Sequence, residues 1–154
     1  MAKLDLSLTP EELEAFLRTQ RTIRVATSSP DGTPHVIPLW FVWVHGVVVL
    51  NSTLGNVTIR NLQRHPLAAG VIDDGDAYDR LRGVVIQGSV DWAVEDPVVE
   101  AAAAAWSEKY MGGNPVPYGK WRNRVWFRLV PSTIASWDFR KIPEARARAR
   151  ARAR

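Results

Sequence analysis

The feature that most constrains this chain is a series of β-branched segments between residues 22 and 50, each cut off by a turn signal. Thr22 to Thr27 is followed by Ser29-Pro30-Asp31-Gly32, and a long apolar run from His35 to Val44 ends at His45-Gly46. Val47 to Leu50 then leads into Asn51-Ser52-Thr53, where short polar side chains replace apolar ones. Runs of this composition between proline, glycine and aspartate clusters predict three antiparallel strands joined by tight turns.

The rest of the chain extends the pattern. Asn56 is placed to cap a helix from Val57 to about Gln63, which Pro66 terminates, and Leu67 to Ile72 reads as a fourth strand. Asp73 to Asp79 reads as an acidic loop, and Gly83 to Val94 as a fifth strand with a bend permitted by Gly88. Asp96-Pro97 caps a helix that carries Val98, Val99 and a run of alanines up to Trp106, and Met111 to Gly119 is a loop. Arg124 to Val130 alternates as a sixth strand, and Ser132 to Trp137 continues it past Pro131. Ahead of all this, Thr9-Pro10-Glu11-Glu12 has the pattern of a capping box, with Leu8 and Leu13 as a hydrophobic staple and Leu13, Phe16 and Leu17 on the buried side. Six or seven short strands with few helices predict a mainly β fold, a small closed or partly closed barrel.

Composition excludes several chemistries. The 154 residues suit one domain, taken as residues 1–142, followed by a basic Ala/Arg tail over 143–154. Five arginines and one glutamate in that tail account for the whole formal charge of +4, so the body is net neutral and offers no surface for specific nucleic-acid readout. The tail itself reads as a solvated helix, a disordered arm or a sequence artefact. With no cysteine there is no thiolate nucleophile or thiolate metal site, and His35, His45 and His65 are too scattered for a metal spacing. Asp73, Asp74, Asp76 and Asp79 lack the calcium-loop pattern and its terminal glutamate, so no metal is expected. No apolar run approaches a membrane span and the acidic start is unlike a secretory signal, so the expectation is a soluble cytoplasmic protein. Any difficult chemistry must come from a bound cofactor.

The segments DGTPHVIPLWFVW, LNSTLGNVTIRNLQRHP, RGVVIQGSV and KYMGGNPVPYGKWRNRVWFRLVP, with the closing SWDF, resemble in order and spacing the pyridoxamine 5′-phosphate oxidase-like split-barrel flavoproteins. The resemblance is strongest to the flavin/deazaflavin oxidoreductase branch, many of whose members use coenzyme F420. It implies an FMN-binding split-barrel fold and a homodimer with cofactor grooves between subunits. It places the flavin or deazaflavin ring against the second and third strands, at Leu39, Trp40, Asn51, Ser52 and Thr53. It places the cofactor phosphate at the start of the following helix, where Asn56, Thr58, Arg60 and Asn61 are the candidates and free amide groups favour an anion. Thr58 stands where many relatives carry lysine, and Arg60 or Arg64, or Arg82, Arg122 and Arg124 from a partner subunit, are the candidates to supply the missing cation.

The function implied is hydride transfer from reduced coenzyme F420 to a small organic substrate, which needs no catalytic triad or carboxylate pair and leaves the catalytic side chains unassigned. FMN in place of the deazaflavin, or a non-catalytic flavin or haem carrier, are the alternatives. His35 has two readings, a group that polarises a substrate carbonyl and an ordinary surface histidine at a strand start. Most of the seven tryptophans are expected in the core or an interface, with Trp40 the one suited to ring stacking.

Overall fold

His45 and Gly46 have φ of 49° and 76°, both in the left-handed region, which is what a two-residue turn needs to match the twist of the strands it joins. This turn pairs β2 (Pro34–Val44) with β3 (Val47–Thr53), from Phe41 opposite Leu50 to Val44 opposite Val47. The earlier part of β2, Pro34 to Trp40, lies instead on β1 (Thr22–Ser28). β2 therefore changes neighbour at Phe41. In the computed structural model, which describes residues 4–92 and 98–152, β4 (Leu67–Asp74), β5 (Arg82–Asp91) and β6 (Arg124–Asp138) complete the sheet. The strands follow one another round a closed antiparallel barrel in the order β1-β2-β3-β6-β5-β4, sealed where Arg24 to Ala26 meet Ala69 to Val71. The expected mainly β split barrel is the fold.

Ser132 to Trp137 continues the sixth strand as expected, because β6 runs straight through Pro131 as a 15-residue strand. The register against β5 shifts between Gln87 and Gly88, and a Cβ on Gly88 would lie 1.9 Å from the carbonyl oxygen of Val130, so only glycine fits there. Asp73 and Asp74 are not loop residues: they extend β4, their carboxylates paired with Arg24 and Arg82. The strand Asn51-Ser52-Thr53 was expected to end continues through all three, held by β6. Residues 93–94 at the expected end of β5, and the Asp96-Pro97 cap, lie outside the described residues.

Alternate residues of each strand point inward. Ile23, Phe41, Leu50, Ile86, Phe127 and Leu129 are all within 1% of full burial in the barrel. Each stabilises by roughly 1.5 to 3 kcal/mol relative to exposure. Two helices close the core. α1 (Pro10–Thr19) opens with the expected capping box, Thr9 N donating to Glu12 Oε2 at 2.8 Å and Glu12 N to Thr9 Oγ1 at 3.2 Å. It buries Phe16 and Leu17, with Leu8 and Leu13 packed alongside. α2 (Val57–Arg64) adds Ile59 and Leu62.

Outside the barrel, α3 (Val98–Tyr110) covers the outer face of β2 and β3, packing Ala102 and Trp106 against Val42 and Val49. Of the tryptophans, Trp43 and Trp106 are buried while Trp40 is 48% exposed. The Ala/Arg tail is helical as α4 (Ile142–Arg152), following a 3₁₀ turn over Phe139–Lys141. No helix among the described residues is long and apolar enough to cross a membrane.

Candidate cofactor site

β3 and β6 pair Asn51 with Trp126 and Thr53 with Arg124 on the outer face, leaving Ser52 and Val125 turned inward. Asn51 is 3% exposed, and Arg124 Nη1 donates to its Oδ1 at 2.8 Å. The other end of the same amide has no partner: Nδ2 is a buried donor without an acceptor among the described residues. A buried donor left this way costs about 1 to 3 kcal/mol, so the arrangement is poised for an acceptor supplied from outside the chain.

Trp40 borders this face from β2. Its ring stacks on Tyr110 at 4.4 Å and 6°, so one face of the indole is already covered from within the chain. Tyr110 is fixed in turn: its hydroxyl donates to Arg21 O and Phe41 O, both at 2.7 Å, and accepts from Phe41 N at 3.1 Å. Burial is the main reason its hydroxyl is pushed up to about 12, partly offset by the Phe41 backbone bond. The ring therefore stays neutral over the ordinary pH range. Arg21 lies over both rings, 5.0 Å from Tyr110 and 5.9 Å from Trp40.

Leu39 does not share this surface with Trp40. It points into the barrel and packs on the core, as neighbouring strand residues must point to opposite sides. Ser52 also turns inward and joins the start of α2, where Asn56 Nδ2 donates to Ser52 Oγ at 2.7 Å. Asn56 caps α2 as expected, its Oδ1 accepting from Ile59 N at 2.9 Å. Thr53 is exposed at the rim.

Thr58 is fully buried, and its hydroxyl meets His35 Nε2 at 3.1 Å. His35 is thus not a surface histidine at a strand start; it is half-buried and tied to α2. Asn61 is likewise inside, donating to Thr27 Oγ1 at 3.1 Å and accepting from Arg64. Arg60 is exposed and bends back to Gly55 O at 2.5 Å, and Arg64 donates to Ser28 O at 2.7 Å. Arg82 is committed to Asp74 and lies over Phe16, away from this corner. Arg122 bonds Gly119 O within its own loop.

The sequence-predicted residues therefore fall into two groups. Asn51, Thr53 and Trp40 lie on the outer face with Arg124. Ser52, Asn56, Thr58 and Asn61 form a polar network that seats α2 on the barrel, with Arg60 at its rim. Tyr110 and Arg21 were missed as site residues; the four-residue spacing of Trp106 and Tyr110 on an alanine-rich helix is the signal that marks one helix face.

The family model described as Pyridoxamine 5′-phosphate oxidase matches residues 9–138, from the α1 cap to the end of β6. The chain belongs to the pyridoxamine 5′-phosphate oxidase family. This is a family of flavin-related split-barrel oxidoreductases, and its barrel is the one described above. Among solved structures, a conserved hypothetical protein from Mycobacterium tuberculosis is 28% identical with a TM-score of 0.80, covering 93% of this chain and 92% of its own. A protein described as an F420 reductase is 28% identical with a TM-score of 0.63, over 82% of this chain and 98% of its own. An FAD-binding protein from Mycobacterium smegmatis shares the fold at 22% identity and a TM-score of 0.64, over 86% of this chain and 98% of its own. No curated protein matches the chain.

The residues present fit a flavin-type group on the outer face. A ring rich in carbonyl oxygens and nitrogens would provide the acceptor that Asn51 Nδ2 lacks, with Arg124 as the cation beside it.

Proposed function

We propose that this protein is an oxidoreductase that holds a deazaflavin, coenzyme F420, between two copies of the chain and reduces a small organic substrate there. The unpartnered Asn51 amide carries the reading: a buried donor on the outer face, braced by Arg124 and bordered by Trp40, is the group that a planar acceptor-rich ring requires. The 28% identity to an F420 reductase favours the deazaflavin over FMN. Val36 at 60% exposure, Trp40 at 48% and Leu54 at 58% make an apolar rim suited to a second copy.

When bound, the reduced deazaflavin supplies the hydride. The chain's part is placement. Asn51 Nδ2 and the Arg124 guanidinium would hold the ring by its polar atoms, and the Trp40–Tyr110 stack would exclude water from one side. Asn56, Arg60 and the first amides of α2 would receive the anionic end. With no carboxylate or imidazole committed on this face among the described residues, water or a substrate group would provide the proton.

A second reading, a non-catalytic carrier of a flavin or haem, is favoured by one observation. Thr58, which stands where many relatives have lysine, spends its hydroxyl on His35 and offers an anion no charge. Titration with coenzyme F420 and with FMN, followed by tryptophan quenching, tests both. Saturable quenching by F420 with turnover of an enone or quinone panel is expected. Binding without turnover of enones, quinones or tetrapyrroles supports the carrier, and no binding of either cofactor overturns the proposal. Light scattering should give twice the chain mass.

A further inference from the structure

On the other flank of α3, a groove of about 510 Å³ opens between α1, the β2–β3 turn and the helix, and Lys109 lines it together with Arg18, Trp43, His45 and Glu108. Lys109 is held differently from the other lysines of the described chain. Lys141 is ion-paired with Glu12, and Lys120 stands in water. The Lys109 ammonium is half-buried. Its acceptors are two main-chain carbonyls, Phe41 O at 3.2 Å and Leu17 O at 3.4 Å, and it sits 4.2 Å from the centre of the Phe41 ring. Among the described residues no carboxylate forms an ion pair with it.

Neutral dipoles and a ring face stabilise a cation less than a carboxylate does, and burial penalises the charged form further. Burial first, and Arg21 second, lower this amine to about 8. The other charged groups around the groove are Arg18 and Glu14 on α1, His45 in the turn and Glu108 on α3. Glu14 is drawn off, one oxygen accepting from Arg18 Nε at 3.0 Å and the other from Trp43 Nε1 at 2.6 Å. Among the described residues the two terminal nitrogens of Arg18 have no acceptor, which leaves them for an anion.

We propose that this groove is a carbonyl-capturing site, in which the Lys109 amine condenses with a small aldehyde or 2-oxo acid whose carboxylate rests on Arg18. The Nζ lone pair attacks the carbonyl carbon, and the proton released from nitrogen moves to the carbonyl oxygen. The carbinolamine then loses water to leave a C=N bond. The condensation is reversible and needs no oxidant or reductant.

The test uses the full chain with glyoxylate, sodium cyanoborohydride to reduce the imine, and peptide mass spectrometry to compare the lysines within one sample. At about pH 7.5 an amine lowered to about 8 holds a sizeable share of free base, so Lys109 should carry at least about tenfold more adduct than Lys120. Its labelling rate should rise through an inflection near 8. Arg18→Gln should lower glyoxylate labelling of Lys109 several-fold while leaving labelling by uncharged propanal unchanged, with a melting curve to confirm that the variant is folded. Lys109 labelled no faster than Lys120 overturns the site. Equal loss of glyoxylate and propanal labelling in Arg18→Gln overturns the role given to Arg18.

Discussion

Leu50 and Asn51 are neighbours on β3, both almost wholly buried, and they belong to different worlds. Leu50 faces a barrel interior of aliphatic and aromatic side chains, where fit alone decides the energy. Asn51 faces the outer layer, where Arg124, Trp126 and the Trp40–Tyr110 stack border a donor that has no acceptor among the described residues. The interior packs against itself, whereas the outer face keeps this buried donor unpaired among the described residues. Equal burial on two sides of one strand thus hides two different chemical surroundings.

The comparison can be broken from its stable side first. Phe127→Ala should cost about 3 to 5 kcal/mol in chemical denaturation, because the barrel cannot collapse onto the space left. Gly88→Ala should cost about 3 kcal/mol in the same measurement, since the new methyl group meets the Val130 carbonyl and the bulge must open. Thr58→Val keeps the shape but strands His35, and a loss of about 1 kcal/mol is expected in thermal melting. A loss as large as that of Phe127→Ala would mean the polar network under α2 belongs to the core.

The outer face should respond the other way. Asn51→Leu removes an unsatisfied donor, so stability should change by less than about 1 kcal/mol, while F420 affinity falls roughly tenfold in the quenching titration. A drop in stability without a change in affinity would move Asn51 to the structural side. The smallest effect expected is one of pH. The folded chain binds the Lys109 proton less tightly than the unfolded chain does, so this group's contribution rises from about 8 toward its ordinary value of 10.5 and is a constant penalty below that window. Lys109→Met should flatten that rise between pH 8 and 10 in denaturation curves.

Much of the barrel was legible because its signals are local. The Ser29–Gly32 and His45-Gly46 turns, the Thr9 capping box and the alternation of β6 each act over a few residues. Long-range pairing was not legible. The fate of Asp73 and Asp74 depends on Arg24 and on Arg82 across the sheet. The candidate site was half legible for the same reason. Asn51 and Trp40 stood out by residue type, but strand alternation turns Leu39 and Ser52 to the other side, and the bond between His35 and Thr58 joins positions 23 residues apart.

The exchange of neighbours at Phe41 has a consequence for self-association. From Pro34 to Trp40, β2 is hydrogen-bonded only to β1 among the described residues, so its opposite margin is open to another chain. Pro34 and Pro38 bring no N–H to that margin, which leaves it too poor in donors to template an incoming strand. Two copies meeting here must recognise each other through protruding side chains, and the sheets stay separate.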